Sequence, residues 1–96
     1  MLEITDIRVR KIYKEEGKVK AKVSVTFNNC LVIHEIKIIN NGVRIFVSMP
    51  NKKTSLGDFK DIAHPINFEM RQYIENEILK KYYLVISEQN IFSNVV

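Results

Sequence analysis

Residues 18–27 read KVKAKVSVTF, and the strict alternation in this stretch decides the fold. Val19, Ala21, Val23, Val25 and Phe27 fall on one side, and Lys18, Lys20, Lys22, Ser24 and Thr26 on the other. That period of two is the mark of a strand with one buried face. Before it, Leu2 to Tyr13 is rich in Ile, Val and Thr, but its alternation changes phase at Thr5-Asp6. The change predicts a bulge or a change of partner strand, and Glu15-Glu16-Gly17 supplies a turn. After it, Asn28-Asn29 turns the chain into a third, more uniformly apolar strand from Cys30 to Ile39. Asn40-Asn41-Gly42 is the strongest hairpin signal, because Asn and Gly tolerate positive φ, and Val43 to Met49 reads as a fourth strand.

Pro50 ends that strand, and Asn51 to Asp58 is a polar loop with two adjacent lysines. Phe59 to Ala63 suits a short strand, and Pro65 punctuates the chain. Asn67 is placed to cap a helix from about Phe68 to Ile86, with Glu69 in its first turn. Ile66, Met70, Ile74, Ile78 and Tyr82 recur every four residues and give that helix one apolar stripe. The period is lost from Ser87. The chain therefore divides into an α+β domain over 1–86 and a tail over 87–96, frayed or partner-dependent toward its end. The expected fold class is a four- to five-stranded antiparallel sheet with a C-terminal helix packed on it. Leu31, Ile33, Ile39 and Phe46 alternate with the positions assigned to the core, so the second sheet face needs a cover, and another subunit supplies it: the domain is expected to be a homodimer.

The 96 residues suffice for one domain. No apolar run approaches the 18 or so residues of a membrane span, and Glu3 and Asp6 do not suit a signal peptide. A cytoplasmic protein that makes no membrane contact is expected. Charge is uneven: residues 1–60 hold 12 Lys and Arg against 6 Asp and Glu, and residues 61–96 hold 3 against 5. The net charge of +4 is thus concentrated in the first half, which suits a polyanion on one face, although many domains carry such a surplus without binding one. Cys30 is the single cysteine, so no internal disulfide forms, and His34 and His64 with carboxylates are poor material for zinc.

The stretch VSMPNKKTSLGDFKDIAHPI, Val47 to Ile66, together with the opening MLEITDIRVRKI, resembles the SpoVG family. The likeness spans about residues 1 to 84. It includes a start of ITD-(I/V)-R and a central MP-x-(K/R)-(K/R)-T followed by (F/Y)-(K/R)-D-I-x-HPI. The resemblance implies an antiparallel sheet with a C-terminal helix, a homodimer, site-preferring DNA binding with RNA bound by some members, and a link to gene expression, septation and sporulation-type programmes.

Lys52 and Lys53 occupy the two basic positions of that motif and Thr54 follows, so the resemblance implies that Asn51, Lys52, Lys53 and Thr54 touch nucleic acid. Two ammonium groups and a hydroxyl on an exposed loop suit phosphate contacts. Many relatives carry Arg at these positions, and lysines lack the planar fork that reads guanine. The alternative is a solvated loop. Lys18, Lys20 and Lys22, joined by Arg8, Arg10 and Arg44, form a basic row able to track a phosphate backbone; equally, outward lysines keep a sheet soluble and resist edge pairing. Lys20, Lys22 and Arg44 are accordingly candidate contacts.

His64 beside Pro65 reads as a turn-stabilising residue, and His34 as a satisfied core or interface histidine. Tyr73, Tyr82 and Tyr83, at helical spacing, read as core or dimer contacts more than as base-stacking groups. No nucleophile with base and oxyanion site, no phosphate-cradling glycine loop and no metal-ligand spacing is visible. An enzyme, a cofactor, a metal and a small-molecule substrate are not expected. The competing function is a protein-interaction module in cell-division or envelope control, whose basic face meets an acidic partner.

Overall fold

The computed structural model describes residues 2–12 and 17–94, with side chains described through residue 87. Four strands, β1 (Ile4–Lys11), β2 (Val19–Phe27), β3 (Leu31–Asn40) and β4 (Ile45–Ser48), pair in chain order as an antiparallel meander. Two short strands, β5 (Asn51–Lys53) and β6 (Phe59–Asp61), pair only with each other. Helix α1 (Phe68–Asn94) packs on one face of the large sheet. The fold is the expected α+β arrangement, but Phe59–Asp61 builds a separate ribbon and adds no fifth strand to the sheet.

β2 follows its sequence pattern: Ala21, Val23, Val25 and Phe27 are at most 1% exposed and lie under the helix. The helix contributes Ile74, Ile78 and Tyr82, and Met70 and Leu79 pack around them. Full burial of an Ile, Val or Phe side chain stabilises a fold by about 1.5 to 3 kcal/mol, so this layer is the main source of stability. Asn67 caps α1, its Oδ1 accepting from Met70 N–H at 2.7 Å. Ile66 departs from the expected stripe, since it lies before the helix and is 90% exposed.

Three bulges decide which side chains reach the core. The first falls between Ile4 and Asp6, where the sequence changes phase. The second falls on β3: Val23 pairs with Ile36 and Val25 with Ile33, leaving an extra residue opposite Ser24. Glu35 absorbs it with a φ of 63°. The phase of β3 inverts there, so Leu31 and Ile33 lie on the same side as the fully buried Ile36 and Ile38. The third lies between Val19 and Ala21 and brings Val19 opposite Ile39 instead of continuing the core row.

The expectation that Leu31 and Ile33 share the second face with Ile39 and Phe46 is therefore corrected for the first two. That face carries Arg8, Arg10, Lys22, Ser24, Thr26, Lys37 and Ser48 in register, with Val32 exposed opposite Thr26 and with Ile39 and Phe46 half-buried and directly paired at one end. Other boundaries shift as well. Cys30 stands in the turn before β3 and is exposed. Val43 lies outside β4, in a four-residue loop where Asn40 and Asn41 side chains accept from the N–H groups of Gly42, Val43 and Arg44. The helix runs past Ile86 to Asn94, through residues read as tail. The turn expected at Glu15-Glu16 lies outside the described residues, as does the end of the first strand at Tyr13.

Candidate nucleic-acid interface

The twin lysines stand on the β5–β6 ribbon. Pro50, buried just before β5, accepts at its carbonyl from Ile62 N–H at 2.7 Å and closes the base of the ribbon. Thr54 N–H donates to the Asp58 carbonyl and Gly57 N–H to the Thr54 carbonyl, closing its tip. Gly57 takes a φ of 91°, a conformation that favours glycine. The register pairs Asn51 with Asp61, Lys52 with Lys60, and Lys53 with Phe59.

Successive side chains on a strand point to opposite faces. Lys52 and Lys53 are therefore neighbours in the chain but not on one surface: Lys52 shares its face with Lys60, and Lys53 shares the reverse face with Phe59. All four are exposed, and neither Lys52 nor Lys53 enters an ion pair among the described residues. The flanking residues are less open. Asn51 Nδ2 donates to Ser48 Oγ at 3.3 Å and to the Met49 carbonyl at 3.0 Å, which ties the ribbon to β4. Thr54 is half-buried and its Oγ1 is buried without a hydrogen-bond partner.

The basic row of β2 sits on the outer sheet face, away from the helix. Arg10, Lys22, Lys37 and Ser48 align across all four strands. Its charge is partly met from within. Lys22 Nζ lies 3.3 Å from Glu35 Oε2, and Arg8 Nε donates to Asp6 Oδ2 at 3.1 Å. Lys20 falls at the bulge and is half-buried. Arg44 stacks its guanidinium 5.0 Å from the centre of the Phe46 ring. An open depression of about 320 Å³ is lined by Arg8, Arg10, Lys22, Ser24, His34 and Glu35. The nominated residues thus form two groups, one on the ribbon and one on the sheet, with no backbone pairing between them.

His34 is not a core residue: it is exposed on this outer face, where its Nδ1 meets Ser24 Oγ at 2.8 Å. His64 does what its place beside Pro65 suggested, with Nδ1 lying 3.1 Å from the Pro65 carbonyl. Tyr82 is core and Tyr83 is half-exposed against it, their ring centroids 5.7 Å apart. Sequence reasoning did not nominate Lys60, Phe59 or Lys37. The signal for the first two was present in the spacing, since a turn over Thr54–Asp58 fixes their partners, but Asn51 to Asp58 was read as a loop, which left the short strand from Phe59 without its partner.

Among the described residues, no group of three or more His, Cys, Asp and Glu could hold a metal ion, and no helix is long and apolar enough to cross a membrane.

Comparison with known proteins is uniform. The family model SpoVG matches residues 2–84. The chain is 54% identical over 86 residues to a protein of Caldicellulosiruptor saccharolyticus, covering 90% of this chain and 97% of the relative. It is 52% identical over 90 residues to one of Clostridium botulinum, covering 94% and 98%. It is 56% identical over 81 residues to one of Thermoanaerobacter sp. (strain X514), covering 84% and 87%. All three relatives carry the name "Putative septation protein SpoVG".

Proposed function

The chain belongs to the SpoVG family, and we propose that it is a non-catalytic regulatory protein of the cytoplasm that binds DNA, and RNA as a second ligand, as a homodimer serving septation. The observation that carries the nucleic-acid reading is the ribbon. Lys52 and Lys53 are held out on a hydrogen-bonded hairpin, exposed and free of ion pairs among the described residues. Cations so placed release counterions from a phosphate backbone without first breaking an internal contact. The outer sheet face, with Arg10, Lys22 and Lys37 aligned, adds a weaker, salt-sensitive attraction. The test is a gel-shift series on the wild type and the Lys52→Ala/Lys53→Ala variant. Binding should weaken by about 1 to 3 kcal/mol. Unchanged affinity in the variant removes the site.

The homodimer rests on a different surface from the one the alternation suggested. Leu56, Phe59, Ile62, Ile66 and Phe68 are all more than two-thirds exposed, and they cluster in sequence from the ribbon tip to the start of the helix. Joined into one contiguous patch, such side chains suit a contact between two copies of the chain. Light scattering should give twice the monomer mass at micromolar concentration; a monomer with an intact helix refutes the dimer.

The same surface favours a second reading, a protein-interaction module for cell division or envelope control. Sequence-indifferent duplex binding that is lost at physiological salt, with capture of a defined acidic partner, would favour it over the first.

A further inference from the structure

We propose that Lys60 is a nucleic-acid contact equal in weight to Lys52, the two lysines gripping one phosphodiester group from a single face of the ribbon, while Lys53 acts separately on the other face. The inference rests on the nucleic-acid reading above and refines its site. Lys52 and Lys60 are direct cross-strand partners in an antiparallel pair. The closing bonds at Thr54–Asp58 and Pro50–Ile62 lie two residues to either side. By the alternation of the ladder, Lys52 and Lys60 therefore occupy a hydrogen-bonded position, with Cα atoms about 5.5 Å apart. Two flexible ammonium arms rising from points that close can reach oxygens of one phosphate group.

The pairing is otherwise unfavourable. Like charges directly opposite each other on a sheet face destabilise the pair. Neither Lys52 nor Lys60 has a carboxylate within ion-pair distance among the described residues, although Asp58 and Asp61 flank Lys60 in the chain. The pleat sends Asp61 to the reverse face, opposite Asn51. A ribbon built only for stability gains by placing an acid across from Lys52. An anion held between the two ammonium groups turns the repulsion into two attractions, and a phosphodiester, whose single negative charge is shared over two free oxygens, can meet both. Lys53 has Phe59 as its neighbour and no second cation across the ribbon. Its contribution is independent of the clamp.

The experiment measures binding of a mixed-sequence DNA duplex by fluorescence anisotropy over a range of salt concentrations. The proteins are the wild type, Lys52→Gln, Lys60→Gln, Lys60→Arg, Lys53→Gln and the Lys52→Gln/Lys60→Gln pair. Each free protein is also unfolded in urea. Lys60→Gln should reduce the slope of log affinity against log salt by about one, as Lys52→Gln does, and Lys60→Arg should restore it. The double variant should lose less affinity than the two single losses combined predict, because the clamp fails once either arm is gone. The free Lys60→Gln protein should be no less stable than wild type, which separates lost contact from lost fold. A wild-type slope in Lys60→Gln, with binding intact, overturns the clamp and leaves the broader reading standing. Wild-type protein that binds no duplex at any salt overturns both.

Discussion

The hydroxyl of Tyr73, in the second turn of α1, accepts a hydrogen bond of 2.9 Å from the backbone N–H of Ile4, 69 residues earlier. It fastens the first residue of β1 to the helix at the point where the Ile4/Asp6 bulge interrupts the ladder. The Ile4 amide is part-buried, so the bond substitutes for water that reaches it poorly. Tyr73→Phe keeps the ring and removes the acceptor. The expected loss is about 1 kcal/mol in urea denaturation, with the m-value unchanged.

Asn67 satisfies an N–H group that no helical carbonyl can reach. Replacing it by Ala should cost about 1 kcal/mol of stability, and replacing it by Asp should cost almost nothing, since a carboxylate caps as well and favours the helix N-terminus. Thermal melts followed by circular dichroism separate the two variants.

Among the described residues, Glu35 is the one inside a strand held at positive φ, 63°, and its ion pair with Lys22 is exposed. An exposed pair of this kind contributes little, whereas the left-handed backbone penalises a side chain branched at Cβ. Glu35→Val should destabilise the domain by about 1 to 2 kcal/mol, and Glu35→Asn should leave it near wild type. Chemical denaturation of both variants checks the order. Equal stabilities mean that the bulge moves elsewhere.

Burial holds the Tyr82 hydroxyl above its ordinary value of 10.0, and the neighbouring Tyr83 adds to the shift. The folded state therefore keeps a proton that the unfolded chain releases first. Stability from this group is fully present below pH 10 and is lost as pH rises through the higher folded value. Tyr82→Phe should show a shallower decline in unfolding free energy above pH 10 than the wild type. Identical declines would show that Tyr82 does not drive the loss.

Much of this architecture could be read directly. β2 announces itself by alternation because one of its faces is wholly buried, and Asn67 announces the helix because few residues can satisfy a free N–H there. β3 was harder. Nothing in the types His34-Glu35-Ile36 signals that Glu35 turns left-handed, and that single extra residue carries Leu31 and Ile33 from the expected outer face to the helix side of the sheet, where Ile33 packs against the core and Leu31 stays exposed. The end of the helix was missed for another reason: backbone hydrogen bonding continues to Asn94 after the apolar period has lapsed. At the candidate site, Lys52 and Lys53 were legible as a basic pair, but their division between two faces depends on their ladder partners Lys60 and Phe59, further along the chain. Adjacency in sequence suggested one shared surface, and the pleat assigns the two lysines to two faces.

The hairpin carrying these lysines pairs its two strands only with each other among the described residues and is tied to the end of β4 through the Asn51 carboxamide. Its exposed positions consequently answer to turn geometry and to whatever they touch, and hardly to the close packing under α1. Substitution there can retune what is recognised, residue by residue, while the interior stays as it is. Descendants of one ancestral scaffold could in this way part company in their targets long before they part company in their shape.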